Sequence, residues 1–420
     1  MSMAHMTTAG ENEAARLDAE DPLAGFRERF VLPDDVIYLD GNSLGALPRA
    51  TAARVQAVAT EEWGTGLIRS WNSADWIGAP ARVGAKIARL VGAAAHEVIV
   101  ADSTSVNLYK LIVAALQSPA ARGRSVILSE PGNFPTDLYM VESAIATLGG
   151  SHRLELVSRE ALTARLRDDV ALVLLTHVHY KTAERYDMAA VTAAAHAAGA
   201  LVCWDLSHST GAVVLDLSGA QADFAVGCGY KFLNGGPGAP AFLYVAERHH
   251  ETVTSPLGGW MGHAQPFAFT DQYAPAPGIA RFLCGTPPIL SMAALECGVD
   301  LHLEADMAQV EAKSLALATF FIDQVEARCA GLGLELIGPP RGAPRGSHVS
   351  WRHPHAYAVM QALIARGVIG DFRAPDAMRF GLTPLYLRFA DMARAVEILA
   401  DVLTTRAYED PRYQVRQAVT

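Results

Sequence analysis

The sequence predicts an α/β protein with a mostly parallel central sheet in a large domain and a smaller α+β domain. From about residue 95 to 245, short apolar runs alternate with alanine-rich amphipathic stretches, which is the order of strands joined by helices. The apolar runs are nearly continuous, as expected for strands that are covered on both faces. After residues 254–290, which are rich in proline and glycine, the pattern changes to long helix and short strand candidates.

The predicted elements follow one another along the chain. Strands are predicted, in order, at EVIVAD, SVILSE, HRLELV, ALVLLTHV, LVCWDLS, ADFAVGCG and APAFLYVAE. The helices between them are predicted at SVNLYKLIVAALQ, TDLYMVESAIATLG, REALTARLR and MAAVTAAAHAAG. Residues 289–329 predict a long helix that is interrupted near its middle, and YAVMQALIARG and DMARAVEILADVLTTR belong to the smaller domain.

The composition excludes several classes of partner. Of the 420 residues, 51% are hydrophobic and 19% are charged, and the formal net charge is −10. The charge argues against nucleic acid or an anionic membrane surface, because both bind clustered basic side chains. We expect neither a transmembrane helix nor a signal peptide. Five cysteines without paired or CxxC spacing predict reduced thiols in a cytoplasmic protein.

A chain of this length predicts more than one domain. We expect residues 1–20 to form a disordered N-terminal tail and residues 70–305 to form the large domain. Residues 21–69 together with 306–420 are expected to form the small domain.

Polar residues directly follow five of the predicted strands. In open α/β sheets, ligands bind beyond the carboxyl ends of the strands. The functional side chains are therefore expected in the segments that follow the strands, which are residues 102–105, 134–137, 176–179, 205–208 and 229–231.

Lys231 lies in CGYKFLNGGPG, a stretch without another charge that follows an apolar run. A lysine in a turn is most often a surface residue. A lysine that is partly removed from water instead has a depressed pKa and acts as an amine nucleophile. The glycines allow a bulky group to approach the backbone closely. The stretch favours a Schiff base between Lys231 and a carbonyl cofactor or substrate.

Asp205 ends the strand LVCWD, twenty-six residues before Lys231. It either caps a helix or pairs with the pyridinium nitrogen of pyridoxal phosphate (PLP), which keeps that ring an electron acceptor. Thr104 and Ser105 open a predicted helix, where free amides and hydroxyls suit a phosphate as well as an ordinary N-cap. The glycine motifs of nucleotide-binding loops are absent from the sequence.

Two further groups of residues are ambiguous from sequence. The segment NFPTD is either a turn with a helix cap or a ring-binding element in which Phe134 stacks on a flat ring. His177, His179 and His208 do not predict a metal site, because no carboxylate or cysteine stands at a usual ligand spacing. We expect His208 to support Asp205 or the cofactor.

Arg379 lies near the end of the predicted small domain. A guanidinium binds the planar carboxylate of an amino-acid substrate with two hydrogen bonds. The alternative is a surface arginine in a charged loop.

These motifs together resemble the PLP-dependent enzymes of the aspartate aminotransferase fold (fold type I), and among them the kynureninase family. The resemblance covers most of the chain, from residues 38–45 to residues 379–386. It rests on YLDGNSLG, NFPTD, HVHYKTAERYD, DLSHSTGA, CGYKFLNGGPG, GGWMGH, GTPPIL and GDFRAPDAMRFGLTPLY.

The resemblance implies a role for each matched residue. Lys231 would bind PLP covalently, Asp205 would pair with its ring nitrogen, and Tyr230 is a candidate proton donor. The other residues expected around the cofactor are Thr104, Ser105, Phe134, Pro135, Thr136, Asp137, Thr176, His208, Trp260 and Thr286. The last two would reach the phosphate from the neighbouring subunit of a homodimer. The substrate is expected to meet Arg379, at its α-carboxylate, and Ser43 and Asn42.

The implied reaction is hydrolytic Cβ–Cγ cleavage of L-kynurenine, and of 3-hydroxy-L-kynurenine, in tryptophan degradation. A cysteine desulfurase or selenocysteine lyase is the alternative within the same fold, but its reactive cysteine is missing from the loop PPRGAPRGSHVSWRHP. A non-catalytic regulator with this fold is expected to lose Lys231 or Asp205. The aryl ring needs an apolar slot, for which Trp63, Trp71 and Trp76 stay open alternatives to core packing.

Overall fold

The computed structural model describes residues 3–417, with the side chains of residues 10–417. In this part of the chain the strands are β1 (Phe30–Val31), β2 (Ile37–Tyr38), β3 (Leu47–Pro48), β4 (Val98–Val100), β5 (Val126–Ser129), β6 (Arg153–Leu156), β7 (Val170–Thr176), β8 (Leu201–Asp205), β9 (Phe224–Gly227), β10 (Phe242–Val245), β11 (Glu335–Ile337), β12 (His348–Arg352), β13 (Val368–Ile369), β14 (Asp371–Arg373) and β15 (Ala377–Gly381).

The α-helices of the same residues alternate with the strands in the first half of the chain and cluster in the second. They are α1 (Met3–Ala19), α2 (Arg49–Ala57), α3 (Ser70–Ser73), α4 (Ala79–Val91), α5 (Thr104–Gln117), α6 (Pro135–Thr147), α7 (Leu162–Arg165), α8 (Met188–Ala197), α9 (Ile289–Leu303), α10 (Met307–Arg328), α11 (Ala356–Ile364) and α12 (Phe389–Thr404).

The large sheet has seven strands in the order β4-β10-β9-β8-β7-β5-β6. Strands β5 to β9 pair in parallel, and β10 is antiparallel to both of its neighbours. Every residue of β5, β7, β8, β9 and β10 is buried, which explains the continuous apolar runs. The predicted α/β fold with a mostly parallel sheet is confirmed.

A second sheet has the antiparallel order β11-β12-β15-β14. It shares one hydrophobic cluster with α10, α11 and α12, and this cluster also takes in Leu23, Phe30 and Leu39 from the N-terminal part of the chain. The predicted interruption of the long helix lies between α9 and α10, where the Asp306 carboxylate caps α10 by accepting a hydrogen bond from the Ala308 amide at 2.8 Å. The domain boundaries stay a prediction.

The expectation of a disordered tail over residues 1–20 is wrong for residues 3–19, which form α1. Ala14 is buried and Leu17 packs against the cluster of the second sheet. The Asp18 carboxylate accepts hydrogen bonds from the backbone amides of Phe389 and Ala390, at 2.7 and 3.0 Å, and so caps the start of α12. Residues 1 and 2 lie outside the described residues.

No helix among the described residues combines the length and the hydrophobicity needed to cross a lipid bilayer.

Candidate active site

Lys231 lies in the loop that follows β9, at the carboxyl edge of the large sheet. Its Nζ atom is 2.9 Å from Nε2 of His208 and 5.8 Å from the ring centroid of Phe134. The cavity around it is lined by Thr104, Ser105, Phe134, Thr136, Asp137, Thr176, Tyr180, Asp205, Ser207, His208 and Tyr230. Most of the residues that were predicted from the carboxyl ends of the strands therefore lie around one cavity.

The glycine-rich loop gives Lys231 its position through close packing. The Gly235 amide donates to the Gly229 carbonyl at 2.9 Å, so the loop closes on itself. A Cβ atom at Gly229 would lie 2.4 Å from the carbonyl oxygen of Pro240, which excludes any side chain there. The Gly45 amide of the N-terminal loop donates to the Tyr230 carbonyl at 2.8 Å and so ties the two loops together.

Asp205 and Asp137 form a buried pair of carboxyl groups at the end of β8. The Asp205 Oδ1 atom accepts a hydrogen bond from the Ser207 amide at 2.7 Å, and the Thr176 hydroxyl donates to Asp137 at 3.3 Å. Burial raises the pKa of Asp205, whereas the Ser207 hydrogen bonds and the Lys231 charge oppose the rise. Burial and then the Asp205 charge hold the pKa of Asp137 well above its usual range. Asp205 is the member of the pair that is better placed to be ionised and to accept a ring N–H.

Thr104 and Ser105 lie in the first turn of α5 and line the cavity. The Ser103 side chain caps this helix by accepting from the Val106 amide at 3.4 Å. A helix start with free amides and two hydroxyls is suited to a phosphate. Sequence reasoning missed the support beneath it, where the fully buried Lys110 ammonium binds Asp102 and donates to the Phe282 carbonyl at 2.6 Å.

One buried histidine, His208, contacts Lys231, and sequence reasoning missed a second, His348, that packs on it. Burial and then the Lys231 charge hold the pKa of His208 well below its usual range, so its ring is neutral. The His348 ring is 5.5 Å from it, centroid to centroid, and is completely buried. His177 and His179 have other partners, since they contact the Ser209 hydroxyl at 2.9 Å and the Gly132 carbonyl at 2.8 Å.

Arg379 of β15 is almost completely buried and is held from three sides. Its Nε donates to Oδ1 of Asp371 at 2.9 Å, its Nη2 lies 2.7 Å from the Ser43 hydroxyl, and its Nη1 donates to the Tyr180 carbonyl at 2.6 Å. The Arg379 charge lowers the pKa of Asp371 against the effect of burial. Sequence reasoning found Arg379 and Ser43 but missed Asp371, which joins the two although Ser43 lies 328 residues away in sequence.

Some predicted residues do not line this cavity, and Arg379 and Ser43 are among them. Asn42 is buried against β15, where a Cβ at Gly381 would be 2.0 Å from its Oδ1 atom. Pro135 opens α6. Thr286 lines a neighbouring cavity together with Ser103 and Tyr230. Trp260 is 38% exposed and packs on Phe267 with a centroid distance of 5.7 Å.

The three tryptophans considered for the aryl slot also lie apart from Lys231. Trp63 and Trp76 line a separate apolar pocket with residues 288–290. Trp71 packs edge to face on Trp76 with a centroid distance of 5.8 Å.

The residues around Lys231 fit PLP. Lys231 offers an amine to the aldehyde, and Phe134 and His208 offer flat rings. The carboxylate of Asp205 suits the ring nitrogen, and the start of α5 suits the phosphate. The unpartnered, buried Nδ1 atom of His208 agrees with a polar group that is completed by a bound molecule.

Comparison with known proteins identifies the family. Residues 310–399 match the protein-family model described as Kynureninase C-terminal domain. The chain is 54% identical to the kynureninase of Burkholderia mallei over 97% of this chain and 99% of that protein. It is 52% identical to the kynureninase of Pseudomonas fluorescens over 99% of this chain and 100% of that protein.

Solved structures show the same fold at low identity. The apo cysteine desulfurase of Thermococcus onnurineus NA1 superposes with a TM-score of 0.77 at 17% identity, covering 91% of this chain and 98% of that one. A C-DES mutant with glycine covalently linked to the PLP cofactor gives 0.77 at 17% identity, covering 89% and 99%. The fold is therefore that of the fold type I PLP enzymes. The protein is a PLP-dependent hydrolase of carbon–carbon bonds, and the chain belongs to the kynureninase family.

Proposed function

We propose that the protein hydrolyses the Cβ–Cγ bond of L-kynurenine to anthranilate and L-alanine, and that it accepts 3-hydroxy-L-kynurenine in the same way. The observation that carries the proposal is that Tyr180, which lines the cavity around Lys231, accepts a hydrogen bond through its carbonyl from Arg379 Nη1 at 2.6 Å. An amine for PLP and a guanidinium for an amino-acid carboxylate thus serve one site.

Each residue has a defined task in this reaction. Bound PLP supplies an aldehyde for the substrate amine and a ring that accepts electrons. Lys231 removes the proton from the substrate Cα, and Asp205 keeps the ring nitrogen protonated. Arg379 holds the α-carboxylate, with Ser43 beside it. Asn42, the buried neighbour of Ser43 in the chain, supports Ser43 from behind. Water adds to the Cγ carbonyl, and the Cβ–Cγ bond breaks so that Cγ leaves as the carboxyl group of anthranilate. Cβ then takes up a proton, and return of a proton to Cα gives alanine.

Tyr230 is the proposed proton donor. Burial raises the pKa of its hydroxyl to about 12, with the charges of Cys228 and Asp205 adding to the rise. The hydroxyl is therefore protonated at neutral pH and has a proton to give. Tyr230 lines both the cavity around Lys231 and the neighbouring cavity that contains Thr286, which also supports a contact with the phosphate.

We further propose a homodimer in which Trp260 and Thr286 complete the phosphate site of the partner subunit. Support comes from the exposed aromatic side chains Trp260, Phe267 and Phe269 on one segment of the surface. A cytoplasmic location is proposed on the five free cysteines.

Cysteine desulfurase chemistry is not favoured. Cys329 is the cysteine nearest in sequence to the loop that would carry the nucleophile, and it is buried at the end of α10. Burial raises the pKa of its thiol to about 11, which opposes formation of a thiolate.

The test is turnover by the holoenzyme. Addition of L-kynurenine is expected to produce anthranilate fluorescence, and L-alanine in equal amount by chromatography. Addition of L-cysteine is expected to release no sulfide. Sulfide without anthranilate would replace the proposed function by the desulfurase alternative.

A further inference from the structure

The Asp371 carboxylate is the centre of a cluster of charged groups behind the proposed carboxylate site. Its Oδ2 atom accepts from the Ser43 hydroxyl at 2.7 Å, from Arg373 Nη2 at 2.6 Å and from Arg379 Nη2. Its Oδ1 atom accepts from Arg379 Nε at 2.9 Å. Asp371 thus receives four donated hydrogen bonds, which stabilise its ionised form.

A second carboxyl group, that of Asp40, lies beside this cluster and has the Ser43 and Asp371 side chains as hydrogen-bonding neighbours. Its Oδ1 atom is buried and has no hydrogen-bond partner. A buried carboxylate oxygen without a donor is costly, so the neutral form is favoured. The titratable and charged groups that act on Asp40, or on which its charge acts, are Asp371 of β14, Arg379 of β15, Tyr38 of β2 and Tyr386 after β15.

Arg373 extends the cluster toward the Lys231 cavity. Its side chain is 37% exposed, and its Nη2 atom lies 3.2 Å from the Ser43 hydroxyl. Its charge also acts on His208 and Tyr230, both of which line that cavity. Arg379 Nη2 contacts the same Ser43 hydroxyl, so Arg373 lies next to the guanidinium that is proposed to bind the substrate.

The charge of the cluster depends on Asp40. Two arginines and one ionised Asp371 leave one unit of positive charge while Asp40 is protonated. Ionisation of Asp40 removes that unit. We propose that Asp40 is a positioning residue that controls the affinity for the substrate α-carboxylate: the site has a spare positive charge, contributed by Arg373, only while Asp40 is protonated.

The proposal rests on the proposed function, and it fixes the direction of a pH effect. Burial raises the pKa of Asp40 to about 7, and the Asp371 charge adds to the rise. A bound carboxylate raises this pKa further, so substrate and proton favour each other. Affinity is highest below pH 7 and falls as Asp40 ionises, by up to about tenfold per pH unit for one linked proton.

The first test compares KM for L-kynurenine between pH 6 and pH 9 in holoenzymes of the wild type, Asp40→Asn and Asp34→Asn. Other groups also titrate in this range, so the quantity to compare is the ratio of KM values between wild type and variant. The wild-type KM is expected to rise about tenfold relative to Asp40→Asn across the range. Asp34 is an exposed aspartate of the same loop region, and its variant is expected to follow the wild type. Parallel profiles of wild type and Asp40→Asn would overturn the proposal.

The second test does not depend on the folding of Asp40→Asn. Arg373→Gln is expected to raise KM at pH 6 about tenfold, with a much smaller change in kcat, and Arg373→Lys is expected to recover most of the loss. An unchanged KM in Arg373→Gln would overturn the role of Arg373.

Infrared spectroscopy gives a readout without turnover. The carbonyl band of a protonated carboxyl is expected to disappear between pH 6 and pH 9 in the wild type and to be absent from Asp40→Asn. A wild type without this titration would overturn the protonated state of Asp40. Absence of kynurenine turnover at every pH, with the infrared titration present, would instead contradict the proposed function alone.

Discussion

Asp205 and Asp371 are buried aspartates of the same site, yet their surroundings have opposite effects. Asp205 ends a strand of the large sheet beside a second carboxyl group, and burial raises its pKa. Asp371 belongs to the small sheet, where the Arg379 charge prevails over burial and lowers its pKa. Asp205, at the large sheet, is therefore a carboxylate that a bound cation would stabilise. Asp371, at the small sheet, already has its ion pairs formed. The difference predicts that mutations on the two sides differ in whether they affect catalysis or stability.

The largest effect is expected from Asp205→Asn. An amide cannot hold the ring nitrogen protonated, so kcat should fall about a hundred- to a thousandfold. The unfolding free energy of the apoprotein should change by less than about 1 kcal/mol, because the lost charge was disfavoured by burial. Steady-state kinetics measures kcat, and urea unfolding measures the free energy of unfolding. A loss of unfolding free energy as large as the increase in the activation free energy would remove the contrast with Asp371.

Arg379→Lys should act mainly on substrate binding. A lysine keeps the charge but loses the planar fork that Asp371 and a carboxylate share, so KM should rise about ten- to a hundredfold. The matched control is Arg352→Lys, a half-exposed arginine of the same sheet. Steady-state kinetics of both variants test this, and equal effects would place carboxylate binding elsewhere.

Asp371→Asn should lower stability, with activity lost as a consequence. Removal of the counter-charge leaves the buried Arg379 unpaired, which costs about 3 kcal/mol. Because the pKa of Asp371 is lowered on folding, its stabilisation is present above the unfolded pKa and is lost as pH falls through the folded one. Urea unfolding of this variant and of Asp376→Asn, a partly exposed pair with Arg352, gives the comparison. A loss below about 1 kcal/mol for Asp371→Asn would contradict a buried ion pair.

Phe134→Leu should have the smallest effect. Leucine keeps an apolar surface over the cofactor but loses ring stacking, so the Kd for PLP should rise about three- to tenfold. Phe134→Tyr is the matched control, since it retains the ring. A fluorescence titration of the apoproteins measures the affinity, and identical Kd values would exclude stacking by Phe134.

The two sides of the site also differed in how well the sequence predicted them. Lys231 and Thr104 follow buried strands and Asp205 ends one, so the rule that ligands bind at the carboxyl ends of the strands predicted them together without further information. Asp371 meets Ser43 across 328 residues of sequence, and Asp18 meets Phe389 across 371. No local pattern marks such pairs, because they depend on how the N-terminal segment packs against the small sheet. The same reason explains why the helix α1 was missed, and the contact between His208 and His348 joins a loop of the large sheet to a strand of the small sheet.

Covalent binding of PLP by Lys231 underlies every role proposed for the site. The most direct measurement is reduction of the PLP-loaded protein with borohydride, followed by peptide mass spectrometry, with Lys86→Ala as the control outside the cavity. One pyridoxyl group is expected on the peptide that contains Lys231 in the wild type and in the control, and none in Lys231→Ala. A pyridoxyl group on another lysine of the wild type, or visible absorption retained by Lys231→Ala, would contradict it.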